Sequence, residues 1–171
     1  MFTVGILTVS DKGWRGERQD KSGPAIRQSL DGSEAKVVQY KVVPDEKDAI
    51  VEQLKAWSDG TGVDVIITTG GTGLAPRDVT PEATLSVVEK LVPGIPEAMR
   101  WKSLEKTPTA MLSRAVAGVR GHSLIINLPG SPKAVRECLE VILPVLPHAV
   151  ETLRGEASEC AARIEGMAHA H

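Results

Sequence analysis

Two cysteines in 171 residues leave little sulfur chemistry to consider. Cys138 falls in a helical pattern and Cys160 near the C-terminus, a spacing that gives neither a disulfide framework nor a cysteine metal site, so both read as free thiols. No apolar run approaches the length that spans a bilayer. Residues 2–9 read as a strand rather than a signal peptide, since they lack a basic start and a cleavage region. The expectation is a cytoplasmic protein with no membrane partner. Charge of one sign is missing too. Twenty basic against 22 acidic side chains leave a net charge of −2, which sets up no field to gather nucleic acid. Nor does a lysine follow the glycine-rich segment in the Gly-Lys-Ser/Thr order of a P-loop, which excludes a Walker nucleotide site.

What is present suffices for one sizeable core, with 42% apolar and 25% charged residues and no internal repeat. Strand-like segments at 2–9, 36–43, 63–68 and 123–128 alternate with helix-like segments at 22–31, 46–57, 81–91 and 132–153. Such alternation predicts an α/β fold, a three-layer αβα sandwich with a mostly parallel sheet. A further helix is expected over 94–106. Residues 114–119 are expected to pair with 123–127 across Arg120-Gly121-His122, which makes the sheet mixed. The domain is read as residues 1–155. Residues 156–171, with weak periodicity and the histidine pair His169 and His171, are read as a loosely held tail.

The densest signal is Val63 to Gly73, a β-branched run that enters the turn Thr68-Thr69-Gly70-Gly71-Thr72-Gly73. A strand covered on both faces and ending in three glycines brings backbone N–H groups to the edge of an open α/β sheet, where ligands bind. Those groups converge on phosphate oxygens, and Thr69 and Thr72 add hydroxyl donors. Thr80-Pro81-Glu82 then supplies a helix N-cap, a first-turn proline and an early acid. A plain tight turn explains the glycines equally well when they are taken alone.

Asp45 and Asp78 each follow a strand end, and both project from the same rim if the sheet is parallel. A carboxylate there can hold the divalent cation that phosphate chemistry needs, with Arg77 nearby as a basic group. From spacing alone, Asp45 reads better as a cap on the following helix. Residues 127–133 close a strand, turn, and open the C-terminal helix with Ser131 as N-cap and Pro132 at its first position. Lys133 then stands at the positive end of the helix dipole, a mild misfit unless an anion lies between them. The first loop, residues 10–23, is long and polar and leaves the first strand's carboxyl end. It reads either as a cover over a ligand or as a solvated loop, with Asp20 and Ser22 capping the helix that follows.

Thr68-Thr69-Gly70-Gly71-Thr72-Gly73, residues 77–84, Pro44-Asp45-Glu46, Gln19-Asp20-Lys21-Ser22-Gly23 and residues 127–133 together resemble the molybdopterin-binding domain family of molybdenum cofactor biosynthesis. The resemblance covers residues 3–153 and lies nearest the stand-alone branch that transfers adenylyl groups. It implies AMP transfer from Mg-ATP to the terminal phosphate of molybdopterin, with Asp45 and Asp78 as the functional aspartates and as magnesium ligands. It implies substrate binding by Ser10, Asp11, Thr69, Gly70, Gly71, Thr72, Gly73, Thr80, Pro81, Arg114, Asn127, Pro129, Gly130, Ser131 and Lys133. A homotrimer and dealings with other proteins of the same biosynthesis are implied as well. The alternative within the family is a carrier that binds pterin without transferring AMP. Trp14 and Arg15 have no counterpart in the pattern.

Overall fold

A computed structural model describes residues 1–156. The expected tail, with Cys160, His169 and His171, lies outside the described residues apart from Glu156. Six strands form one sheet: β1 Phe2–Val9, β2 Ala35–Val43, β3 Val65–Thr69, β4 Lys90–Leu91, β5 Ala117–Arg120 and β6 Ser123–Leu128. Their order is β2-β1-β3-β6-β5-β4. β2, β1, β3 and β6 run parallel, while β5 is antiparallel to both β6 and β4. The sheet is therefore mixed, as the hairpin predicted.

The helices are α1 Asp11–Trp14, α2 Ser22–Leu30, α3 Lys47–Lys55, α4 Thr80–Leu85, α5 Gly94–Leu104, α6 Pro132–Ile142 and α7 Leu146–Leu153. Strand residues alternate between two faces, and each face is covered. Val4, Ile6, Ile67 and Ile126 pack with Ile26, Met99, Leu139 and Val150, from α2, α5, α6 and α7. Leu7, Ile66 and Ile125 pack on the other side with Ile50, Leu54 and Ala83, from α3 and α4. That is the three-layer αβα arrangement. β3 is bonded to a strand on each side and excludes solvent from Val65, Ile66 and Ile67. Each of those isoleucines is worth about 1.5–3 kcal/mol over exposure. Gly5 admits the Trp57 ring, because a Cβ at that position would stand 2.9 Å from Trp57 Cε3.

Three boundaries depart from expectation. The helix expected over 81–91 stops at Leu85, because Val87 folds into the core and the Glu89 N–H bonds the Val119 carbonyl, which draws Lys90–Leu91 into the sheet edge. The helix expected over 132–153 is broken by a 3₁₀ turn at Leu143–Val145, where Pro144 lacks the N–H to continue. The helix expected over 46–57 ends in a π-helical turn, Ala56–Thr61, closed by Gly62 at φ 62°.

Candidate active site

In register, Val9 faces Val43, Thr8 faces Thr69 and Thr69 faces Leu128, so the four parallel strands end along one rim. β1 lies between β2 and β3, and the connections leave it in opposite directions. A cleft is expected outside such a switch point. One of about 530 Å³ is found there, lined by Thr8, Ser10, Asp45, Thr69, Gly70, Gly71, Asp78 and Gly130 among others.

The glycine loop is held in a shape that only glycine permits at two positions. Gly70 and Gly71 have φ of 98° and 65°. A Cβ on Gly70 would meet the Val9 carbonyl oxygen at 2.3 Å, and one on Gly71 would meet Thr80 Oγ1 at 2.4 Å. Thr80 staples the loop to α4, its hydroxyl donating to the Gly70 carbonyl at 2.9 Å and its N–H to the Gly71 carbonyl at 3.1 Å. Thr80 thus opens α4 as its first residue rather than as its cap, and Pro81 follows it, buried. The Gly70 N–H is spent on the Leu128 carbonyl. The Thr69 hydroxyl is spent too, on the Pro129 carbonyl at 2.7 Å.

Asp45 sits above this loop, its Oδ1 3.5 Å from where a Gly71 Cβ would stand. The cap on α3 is Glu46 by position, so Asp45 is free of that role. Its Oδ2 accepts the Asp11 N–H at 2.7 Å, and the Asp45 N–H donates to Asp11 Oδ1 at 3.0 Å. Arg77 grips Asp11 with two further bonds, at 2.5 and 2.9 Å. The Arg77 bond holds the Asp11 carboxyl below the ordinary aspartate range. Burial pushes Asp45 the other way, and the charges of Asp11 and Asp78 add to that push. Asp78 closes a turn by accepting the Ala75 N–H at 2.8 Å and stands beside Gly73.

Arg114 does not line the cleft. Its guanidinium donates to the Gly73 carbonyl at 2.7 Å, to the Asp78 carbonyl at 2.6 Å and to the Glu82 carboxylate, bracing the whole 73–82 segment. Asn127 is fully buried, its amide donating to Thr68 and Thr84 at 2.9 Å and its oxygen accepting the Val116 N–H. Ser131 takes the N-cap position of α6 without a side-chain cap bond, and Lys133 is exposed one residue past the cleft-lining Pro132. The cleft instead uses Arg18-Gln19-Asp20-Lys21-Ser22, a stretch that carries part of the family resemblance but for which no substrate contact was expected. Asp20 accepts from Thr8 Oγ1 and Tyr40 OH at 2.7 Å and from the Ser22 and Gly23 N–H groups, which both caps α2 and anchors the loop. Burial and that bond push the Tyr40 hydroxyl up to about 12, so it remains a donor. The Ser22 hydroxyl donates to the Gly130 carbonyl at 2.6 Å, joining the first loop to the last.

A second cavity, about 270 Å³, opens beyond the glycine loop. Thr72, Gly73, Pro96, Met99, Ser103 and Pro129 are among its lining. Thr72 and Pro129 thus face this space, while their neighbours Gly71 and Gly130 face the first. Among the described residues no three or more His, Cys, Asp or Glu side chains gather as a self-sufficient metal site. The pair Asp45 and Asp78 fits a cation that takes its remaining oxygens from phosphate and water, as magnesium does. No described helix is long and apolar enough to cross a membrane.

Fold and cleft define an open-sheet α/β protein whose cleft lies at the carboxyl ends of its parallel strands. The chain belongs to the family described as probable molybdopterin binding domain, which it matches over residues 5–148. The molybdopterin adenylyltransferase of Helicobacter pylori strain J99 is 46% identical over 154 residues, covering 89% of this chain and 88% of that protein. The molybdenum cofactor synthesis protein cinnamon of Drosophila melanogaster is 46% identical over 158 residues. That match covers 92% of this chain but only 26% of the longer protein. The crystal structure of the molybdopterin biosynthesis enzyme MoaB from Thermus thermophilus superposes with a TM-score of 0.87 at 58% identity, covering 93% of this chain and all of that one.

Proposed function

We propose that this chain is a molybdopterin adenylyltransferase that moves AMP from Mg-ATP to the terminal phosphate of molybdopterin and releases pyrophosphate. The observation that carries the reading is the cleft in which Asp45, Asp78 and the Gly70–Gly71 turn meet at the ends of the parallel strands. The adenylyltransferase relatives, matched over nearly their whole length, support it.

Gly71 and Gly73 are the loop members assigned to donate to phosphate oxygens, since the Gly70 N–H is used internally. Asp45 and Asp78 are assigned to hold magnesium, which would supply positive charge to neutralise the phosphates there. Arg77 and Asp11 hold the Asp45 backbone and carboxylate in place. The second cavity, with apolar walls and hydroxyls from Thr72 and Ser103, suits the fused ring of the pterin. The acceptor phosphate is already an anion, so neither aspartate is needed as a general base. Positioning and charge neutralisation carry the reaction.

The setting we assign is the cytoplasm, the active form a homotrimer that works alongside other proteins of molybdenum cofactor synthesis, and the active unit residues 1–155. Gel filtration with light scattering tests the trimer. Single-turnover assays of the parent, Asp45→Asn and Asp78→Asn with molybdopterin and Mg-ATP test the activity. Product from the parent and a loss of about a hundredfold or more in each variant are expected.

A further inference from the structure

The cations that face the cleft point to a subsite at Arg18 and Lys21, neither of which is among the substrate-binding residues that the resemblance implies. Arg77, the basic group nearest the glycine loop in sequence, is paired with both carboxylate oxygens of Asp11 through its Nε and Nη2. Arg114 is bound by Glu82 and two carbonyls, and Lys133 lines neither cavity. The cations in the cleft lining are Arg18 and Lys21, and among the described residues neither has an acidic partner. Both are exposed. Asp20 stands between them in sequence, yet its carboxylate is saturated by Thr8, Tyr40 and the Ser22 and Gly23 N–H groups. It anchors the backbone that carries the two cations and leaves their charges unanswered.

Resting on the adenylyl-transfer reading, we infer that Arg18 and Lys21 form the site for the β- and γ-phosphates of ATP, and so for the pyrophosphate that leaves. In the transfer an oxygen of the acceptor phosphate bonds to the α-phosphorus while the bond from that phosphorus to the α–β bridging oxygen breaks. The bonding electrons depart with pyrophosphate, and the former α–β oxygen gains negative charge as it becomes a terminal oxygen of the β-phosphate. Two cations with no competing carboxylate stabilise that charge as it forms. They also discriminate a triphosphate from a monophosphate, because AMP has nothing to offer them. Asp20 is a positioning residue in this scheme, acting through its grip on the loop.

The test uses the full chain and two probes, inorganic pyrophosphate and AMP, each titrated calorimetrically with magnesium present into the parent, Arg18→Ala, Lys21→Ala and the double variant. Each single variant weakens pyrophosphate binding about tenfold while AMP binding stays within about twofold, and KM for ATP rises without a rise in KM for molybdopterin. Arg18→Lys retains most of the pyrophosphate affinity. Unchanged pyrophosphate binding in the double variant overturns the subsite, even if the parent transfers AMP. A parent that binds pyrophosphate through these residues but forms no adenylylated product overturns the transfer reaction and leaves the subsite standing.

Discussion

Asp11 and Asp45 hold one another by their backbones. The Asp11 N–H donates to the Asp45 carboxylate at 2.7 Å, and the Asp45 N–H donates to the Asp11 carboxylate at 3.0 Å. The loop after β1 and the loop after β2 are thereby locked at the cleft mouth, and Arg77 from the loop after β3 clamps the pair. Three loops that are distant in sequence share one knot.

Cutting that knot separates positioning from folding. Arg77→Ala removes an exposed side chain, so the melting temperature changes little, while Asp45 loses the support of a fixed Asp11. Steady-state assays are expected to show kcat/KM down by about ten- to a hundredfold.

Gly70→Ala strikes the loop itself. The added methyl meets backbone, the Val9 carbonyl oxygen, and the residue must keep a φ of 98°. A left-handed non-glycine residue alone costs about 1–2 kcal/mol, and the clash adds to it. Denaturant unfolding should register that loss, and single-turnover transfer should fall further than stability explains.

Asn127→Ala separates a buried framework residue from the ligand contacts expected of its motif. Thr68, Thr84 and the Val116 N–H lose a partner inside the sheet, at a cost of about 2–3 kcal/mol. Denaturant midpoints should drop accordingly, while kcat per folded molecule stays within about threefold of the parent, because the amide does not line the cleft.

Asp64 gives the fold a pH dependence away from the site. Burial raises its pKa, but bonds from the Thr3 N–H and hydroxyl at 2.7 Å and from Arg154 outweigh burial and leave it below the ordinary value of 3.8. A depressed folded pKa stabilises the native state fully above the unfolded value, and that stability is lost as pH falls through the folded pKa. Asp64→Asn should therefore unfold more easily by about 2 kcal/mol at neutral pH, with the gap from the parent closing below about pH 4. Thermal melts from pH 3 to 7 check it.

Much of the rim was legible because local chemistry and tertiary structure agree there. β-branched runs ending in Gly70-Gly71 or Pro129-Gly130 read as strands that stop at a turn, and the turns are where the cleft lies. Asp45 read as a helix cap on spacing alone; pairing with Asp11 across 34 residues gave it another place. The family resemblance implied a ligand contact at Asn127, yet its register beside Thr68 turns the amide inward. β4 was invisible because two residues acquire strand geometry only from the partner strand at Gly118 and Val119. Pro144 breaks the helix expected over 132–153, a signal that stands in the sequence itself. Arg18 and Lys21 lie in a loop that reads equally as a ligand cover or as a solvated loop, and nothing local shows that Arg77 and Arg114 are already paired.

The most direct measurement is a single turnover of the purified parent with molybdopterin and Mg-ATP, following adenylylated molybdopterin and pyrophosphate in the same samples beside Asp78→Asn. The account predicts the two products in equal amounts from the parent and a large loss of both in the variant. A parent that binds molybdopterin but forms neither product at any ATP or magnesium level would contradict it and identify a carrier.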